Sequence, residues 1–171
     1  QVEAYQKQYN WKKIYTVRPA NIYGPYSNFD DKNSMVVASL IKKFFNKEKI
    51  VKVWGDGSPI RDFVFSKDIA SMIIDVVRKE VVVPINLGSG SGVSIKQLVD
   101  VISKSKHLKQ TPIVEFEKDK PMGDKILNTD LAKKFNIYPK ISLQDGIDET
   151  IKWYLENGEH LNLKFNAFNQ K

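Results

Sequence analysis

Apolar and polar positions alternate along this chain with two periods, one helical and one strand-like, and the two change places repeatedly. Residues 1–9 (QVEAYQKQY) put Val2, Tyr5 and Tyr9 at helical spacing, the pattern of an amphipathic helix that begins before the sequence does. Residues 13–19 (KIYTVRP) are β-rich and stopped by Pro19, which predicts a buried strand. Residues 20–33 are dense in Asn, Gly, Pro, Asp and Ser and read as a long loop. A loop of that length in a compact domain is usually functional. Ser34 is placed to cap a helix running to about Asn46, with Met35, Val36, Leu40, Ile41, Phe44 and Phe45 largely on one side. Residues 50–54 (IVKVW) alternate as a strand, 55–59 (GDGSP) form a turn, and 61–65 (RDFVF) form a short strand.

Ser66 is expected to cap a helix to about Lys79, with Asp68 in its first turn. A short apolar strand at 84–88 leads into Gly88-Ser89-Gly90-Ser91-Gly92, read as a flexible joint. Ser94 and Gln97 form a capping box for a helix to about His107. Residues 111–117 predict a strand, 118–128 a charged loop, and 130–136 a short helix. Ser142 caps a final helix, 143–156, with Ile147, Ile151 and Tyr154 on its apolar face and Gly158 at its end. The tail 159–171 is polar. Helices alternating with short strands predict an α/β fold.

Composition narrows the class. The 171 residues are 42% hydrophobic and 27% charged, which suits one globular domain or slightly more and not a disordered or collagenous chain. No apolar run approaches the roughly 20 residues of a spanning helix, so no membrane partner is expected. Cysteine is absent, which excludes disulfides and thiol chemistry, and a cytoplasmic location is expected. The net charge is +7. The lysines are scattered, with no aromatic interleaving and no helix-turn-helix or zinc-finger spacing, so solvated helix faces are the expected reading and no nucleic-acid partner is expected.

The chemical motifs are few. The glycines at 88 and 90 lack the third member of a dinucleotide fingerprint, since position 93 is Val93, and no acid stands at 108–112. His107 and His160 have no nucleophile or acid at motif spacing. Two constellations remain. In Arg18-Pro19-Ala20-Asn21-Ile22-Tyr23-Gly24-Pro25 a strand end meets a polar loop, the place where open α/β sheets bind ligands; a rigid turn fits the spacing equally well. In residues 54–63 (WGDGSPIRDF) a glycine turn carries Arg61 near Trp54, which suits gripping a phosphate and stacking on a base; a surface hairpin with Arg61 beside Asp62 is the plain alternative.

In this order the two elements are specific. With residues 33–44 (NSMVVASLIKKF), 85–95 (INLGSGSGVSI), 121–124 (PMGD) and 141–154 (ISLQDGIDETIKWY), they make the chain resemble the C-terminal half of NAD(P)-dependent nucleotide-sugar epimerases and dehydratases, of the extended short-chain dehydrogenase/reductase family. The resemblance covers residues 1 to about 157. It implies the last part of a Rossmann-type parallel sheet (1–22 and 64–90) and a smaller α/β nucleotide-sugar-binding domain (23–63 and 91–157), followed by the polar tail. It implies that Pro19, Ala20 and Ile22 line the nicotinamide end of NAD or NADP. It implies that Asn21 contacts the substrate diphosphate or sugar, Val36 and Leu40 wall the nucleotide, Trp54 lies beside the base, Arg61 grips the diphosphate, and Asn86 faces the nucleotide.

The partners so implied are a nucleotide-diphosphate sugar and, through the helix ending near residue 10, a second copy in a homodimer. The family's glycine-rich cofactor turn and Tyr-x-x-x-Lys pair have no match here. Tyr5 and Lys7 are too close, and Lys13, four after Tyr9, already begins a strand. No catalytic residue is therefore assigned to this chain, and the chain alone is expected to be inactive and poorly stable. Two departures stand out. Where relatives often carry a second diphosphate arginine this sequence has Leu127, so either Lys125 substitutes or the contact is lost. Where the GDP-fucose synthase subgroup has a catalytic histidine this chain has Met35, which favours a 4-epimerase or reductase outcome over 3,5-epimerisation. The other readings are a non-catalytic nucleotide-sugar-binding module, a GDP-fucose-synthase-like epimerase/reductase and, outside the family, a basic nucleic-acid binder.

Overall fold

The computed structural model describes residues 1–30, 33–46, 49–117 and 123–158. Parts of the expected charged loop, the whole tail, and Lys47 and Glu48 of the lysine-rich stretch lie outside these residues. The element order is α1 (Val2–Tyr9), β1 (Val17–Pro19), β2 (Asn21–Tyr23), α2 (Val36–Phe45), β3 (Ile50–Trp54), β4 (Ile60–Phe65), α3 (Ser66–Arg78), β5 (Ile85–Leu87), β6 (Gly92–Ser94), α4 (Ile95–Ser103), β7 (Ile113–Glu117), α5 (Asp130–Lys134) and α6 (Leu143–Asn157). Every predicted helix is present, and the α/β alternation stands.

The strands form three small groups. β1 pairs in parallel with β5, β3 pairs in parallel with β7, and β4 is flanked by β2 in parallel and β6 antiparallel. Two of these strands correct the sequence reading. β2 lies inside the expected long loop, and β6 starts at the last glycine of the expected flexible joint and runs on to Ser94. Both are strands because β4 offers each of them an edge, Asn21 standing opposite Phe63 and Gly92 opposite Asp62. β1 is shorter than expected and is not buried: Arg18 and Pro19 are exposed, because among the described residues the strand has one neighbour, β5.

The caps divide in the same way. Ser94 and Gln97 close the predicted capping box, and Ser142 accepts from the Asp145 N–H. Ser34 and Ser66 do not cap: Met35 is the N-cap of α2, Phe65 precedes α3, and neither helix has a side-chain cap bond. Met35 also leaves the apolar face predicted for α2 and stands 60% exposed, while Val37 and Ala38 are buried instead. α4 stops at Ser103, short of His107, because the next turn closes on itself and the Ser105 hydroxyl donates to Asp148 on α6. Gly158 is right-handed, so it supplies no left-handed C-cap.

Two apolar clusters result. One joins Tyr23, Phe29, α2, β3, α4 and α6 with Phe63 and Phe65. The other joins Val64, α3 and β5 with Ala132 and Ile137. Successive residues of β4 therefore serve opposite clusters, as side chains on a pleated strand must. The segment after β2 is fixed by rings: Tyr26 lies 4.8 Å from Trp153, and Phe29 lies 4.8 Å from Tyr154. The buried carboxylate of Asp68 accepts from the backbone N–H groups of Lys140 and Ile141 and binds the entry of α6 to α3. No helix among the described residues is long and apolar enough to cross a membrane.

Candidate functional site

β4 is the spine of the site. Parallel pairing sets Asn21 beside it on one edge, and antiparallel pairing sets residues 92–94 beside it on the other. A third segment closes over its start. The Lys125 N–H donates to the Ile60 carbonyl, the Asp62 N–H donates to the Lys125 carbonyl, and Asp124 accepts from the Ile60 N–H at 2.8 Å. The turn at 55–58 before β4 needs glycine: Gly57 has φ +79°, and a Cβ there would stand 2.5 Å from the Phe116 ring. The Asp56 carboxylate caps that turn by accepting from Ser58, which holds its pKa below the ordinary value.

Two hollows open on this spine. The first, of about 240 Å³, is lined by Asn21, Met35, Val36, Ser39, Leu40, Lys43, Val53, Trp54, Arg61 and Ile95. Its lining is mostly apolar, with Arg61 and Lys43 as cations and Trp54 half exposed. The second, of about 450 Å³ and more open, is lined by Pro19, Ala20, Asn21, Asp62, Lys125, Ile126 and Leu127. Asn21 borders both. The residues singled out from sequence thus gather in two groups that meet at one side chain. Ile22, 42% exposed, and Asn86, whose amide donates to the Asn128 carbonyl at 3.0 Å, line neither hollow.

Arg61 is 9% exposed. Its Nη1 donates to the carbonyl oxygens of Ile60 at 2.8 Å and Gly123 at 2.7 Å. Among the described residues no acid pairs with it. The neighbouring carboxylate, which the plain hairpin reading set beside the arginine, turns the other way. Asp62 is 1% exposed and accepts from the N–H and hydroxyl of Ser89 and from the Gly90 N–H. Arg61 therefore lines the first hollow with no acid partner among the described residues, and a guanidinium fork is well shaped to grip a phosphate.

Sequence reasoning missed Ser39, Lys43, Val53 and Ile95 in the first lining and Ile126 in the second, and it noted Met35 and Leu127 only as departures from relatives. It also missed Asp62. The available signal was a carboxylate next to the apolar run Phe63–Phe65 of a strand, since such a group has to find donors when buried. Among the described residues no three His, Cys, Asp or Glu side chains gather as a metal site would require.

Residues 1–88, just over half of the chain, match the NAD dependent epimerase/dehydratase family. The chain belongs to this family. It is similar to the probable GDP-L-fucose synthase 1 of Oryza sativa, with 32% identity over 161 residues that cover 91% of this chain and 48% of that protein. Its fold is similar to that of the UDP-glucose 4-epimerase of Thermotoga maritima solved with UDP-glucose, at TM-score 0.76 and 23% identity, covering 91% of this chain and 50% of that one. It is also similar in fold to the GDP-L-fucose synthetase of Naegleria fowleri bound to NADP, at TM-score 0.78 and 23% identity, covering 93% and 52%. The chain spans about half the length of each of these family members. The likeness in fold bears out the expected class, the closing part of a Rossmann-type parallel sheet with a smaller α/β unit.

Proposed function

We propose that this chain is the nucleotide-sugar-binding half of an NAD(P)-dependent sugar-nucleotide epimerase/dehydratase that works through a transient keto-sugar. The observation that carries the proposal is the pair of hollows meeting at Asn21, with Arg61 on the boundary of the first. A nucleotide sugar has the matching order of parts: a flat base, a doubly charged linker and a polyhydroxylated head. Val36, Leu40 and Trp54 offer the base an apolar wall and a ring to stack on. Arg61 takes the linker, with Lys125 on the far side replacing the arginine absent at Leu127. The sugar then lies in the second hollow beside Asn21. The proposed division between sheet and substrate-binding units is supported by the two apolar clusters, except that Phe65 packs with the substrate-binding side and residues 132–137 with the sheet side.

Pro19 and Ala20 line the second hollow with small apolar surfaces, which fits a wall against the flat ring of a nicotinamide. NAD or NADP, when bound, supplies a reversible hydride acceptor. This chain's residues contribute affinity, orientation and exclusion of water, and the resemblance assigns proton transfer to a Tyr-x-x-x-Lys pair that has no match here. The chain alone is accordingly proposed to show no turnover. Homodimer formation through α1 is supported by its exposed Tyr5, Tyr9 and the adjoining Trp11, whose ring centroids lie 5.5–6.1 Å apart. A cytoplasmic location goes with this reading.

A second reading, a GDP-fucose-synthase-like epimerase/reductase, is favoured by the rice relative. Met35 in the first hollow, where that subgroup has a histidine, argues for reduction or 4-epimerisation over 3,5-epimerisation. The deciding experiment is a thermal-shift panel of UDP, GDP, dTDP and CDP sugars. Stabilisation by one nucleotide class supports the proposal, with GDP sugars pointing to the second reading. No shift with any of them removes both.

A further inference from the structure

We propose that Asp62 is a positioning residue that ties the glycine-rich segment and the Lys125 segment to Asn21, so that the Asn21 amide is held beside the second hollow to meet the sugar. This rests on the nucleotide-sugar reading above. Asp62 is 1% exposed, and each of its polar groups is committed to a different segment of the chain. Its N–H donates to the Lys125 carbonyl. Its carbonyl accepts from Asn21 Nδ2 at 2.8 Å. Its Oδ1 accepts from the Ser89 N–H at 2.9 Å and from the Ser89 hydroxyl, and its Oδ2 accepts from the Gly90 N–H at 3.2 Å. Asn21, Ser89–Gly90 and Lys125 are far apart in sequence and have this one residue in common.

The amide orientation at Asn21 follows from the partner. A carbonyl oxygen can only accept, so the atom of Asn21 facing Asp62 must be the nitrogen. The amide oxygen and the second N–H of the amide are left to be offered elsewhere, one acceptor and one donor, which suits a sugar hydroxyl. The carboxylate side is equally specific. A charged acceptor serving two backbone N–H groups and a hydroxyl is among the stronger local anchors. The packing leaves no slack: a Cβ at Gly88 would stand 2.5 Å from Asp62 Oδ2 and 3.0 Å from the Ala20 Cβ. The glycine-rich segment, the carboxylate and the strand that leads to Asn21 are thus in mutual contact. In Asp62→Asn one oxygen becomes an NH₂ group. It faces the N–H of either Ser89 or Gly90, donor against donor, and the segment is expected to lift from β4.

The test is titration of the full chain and of Asp62→Asn with two ligands, a nucleoside diphosphate and the corresponding nucleotide sugar. The expected result is a loss of about tenfold in nucleotide-sugar affinity, with less than about twofold change for the bare diphosphate. Faster amide exchange at Ser89 and Gly90 in the variant is expected alongside. Equal losses for both ligands, or none for the sugar ligand, overturn the positioning role and leave the functional reading standing. An unmutated chain that binds neither ligand overturns the functional reading and this inference with it. If Asp62→Asn loses its folded circular-dichroism spectrum, Ser89→Ala decides by the same two titrations. A selective loss for the sugar ligand supports the role, and an equal loss or no loss overturns it.

Discussion

Arg61 donates from Nη1 to the Gly123 carbonyl oxygen at 2.7 Å, joining β4 to a segment 62 residues further on. The bond fixes one side of the guanidinium of a residue that lines the first hollow. The arginine therefore arrives already oriented, and its binding energy is not spent on ordering a long side chain. Arg61→Ala is expected to weaken nucleotide-sugar binding by roughly 1.5–3 kcal/mol. Calorimetric titration checks this, and unchanged affinity removes Arg61 from the site.

Asp68 is buried, and its two oxygens serve the backbone N–H groups of Lys140 and Ile141. Asp68→Ala leaves both donors without an acceptor. Stability is expected to fall by about 2–3 kcal/mol in a denaturant titration. A loss below about 0.5 kcal/mol would mean that water replaces the carboxylate.

Gly146 lies on α6 where a Cβ would stand 2.3 Å from the Tyr23 hydroxyl oxygen. Gly146→Ala gains helix propensity but overpacks the core, with a net expected cost of about 1–2 kcal/mol. Removing the hydroxyl in the double variant Gly146→Ala/Tyr23→Phe should recover most of that. A double-mutant cycle with no coupling contradicts the contact.

Burial, with Asp68 and Asp145 adding negative charge nearby, pushes the Tyr23 phenol above its ordinary value of 10.0. The neutral form is the one the fold prefers, so its contribution is complete below pH 10.0, where the unfolded chain's phenol is also neutral. It is lost as pH rises above that value and the unfolded phenol ionises first. Denaturant titrations from about pH 9 to about pH 11 should show stability falling, and falling less steeply in Tyr23→Phe. Identical slopes in the two proteins would show that Tyr23 ionises freely in the fold.

The helices and two of their caps were legible in the residues alone. Ser94 and Gln97 are three apart, as are Ser142 and Asp145, and the bonds between them are made inside one turn. The order of the two site motifs was legible too, and with it the family. Ser34 and Ser66 show the limit of such reading, since both have the right residue type and neither makes a cap bond.

The strands β2 and β6 were not legible. Asn21–Tyr23 and Gly92–Ser94 have turn-like composition, and what makes them strands is an edge of β4 tens of residues away. The same distance hid the role of Asp62, whose donors are at Ser89 and Gly90, and the meeting of two hollows at Asn21. The sequence by itself determined the helices, the cation at Arg61 and the kinship, because helical bonds close over four residues and motifs are contiguous. Tertiary structure alone decided which carboxylate is a frame, which atom of the Asn21 amide faces the Asp62 carbonyl, and where the hollows lie. Each of these depends on hydrogen bonds between segments that only the folded chain brings within 3 Å or so of one another.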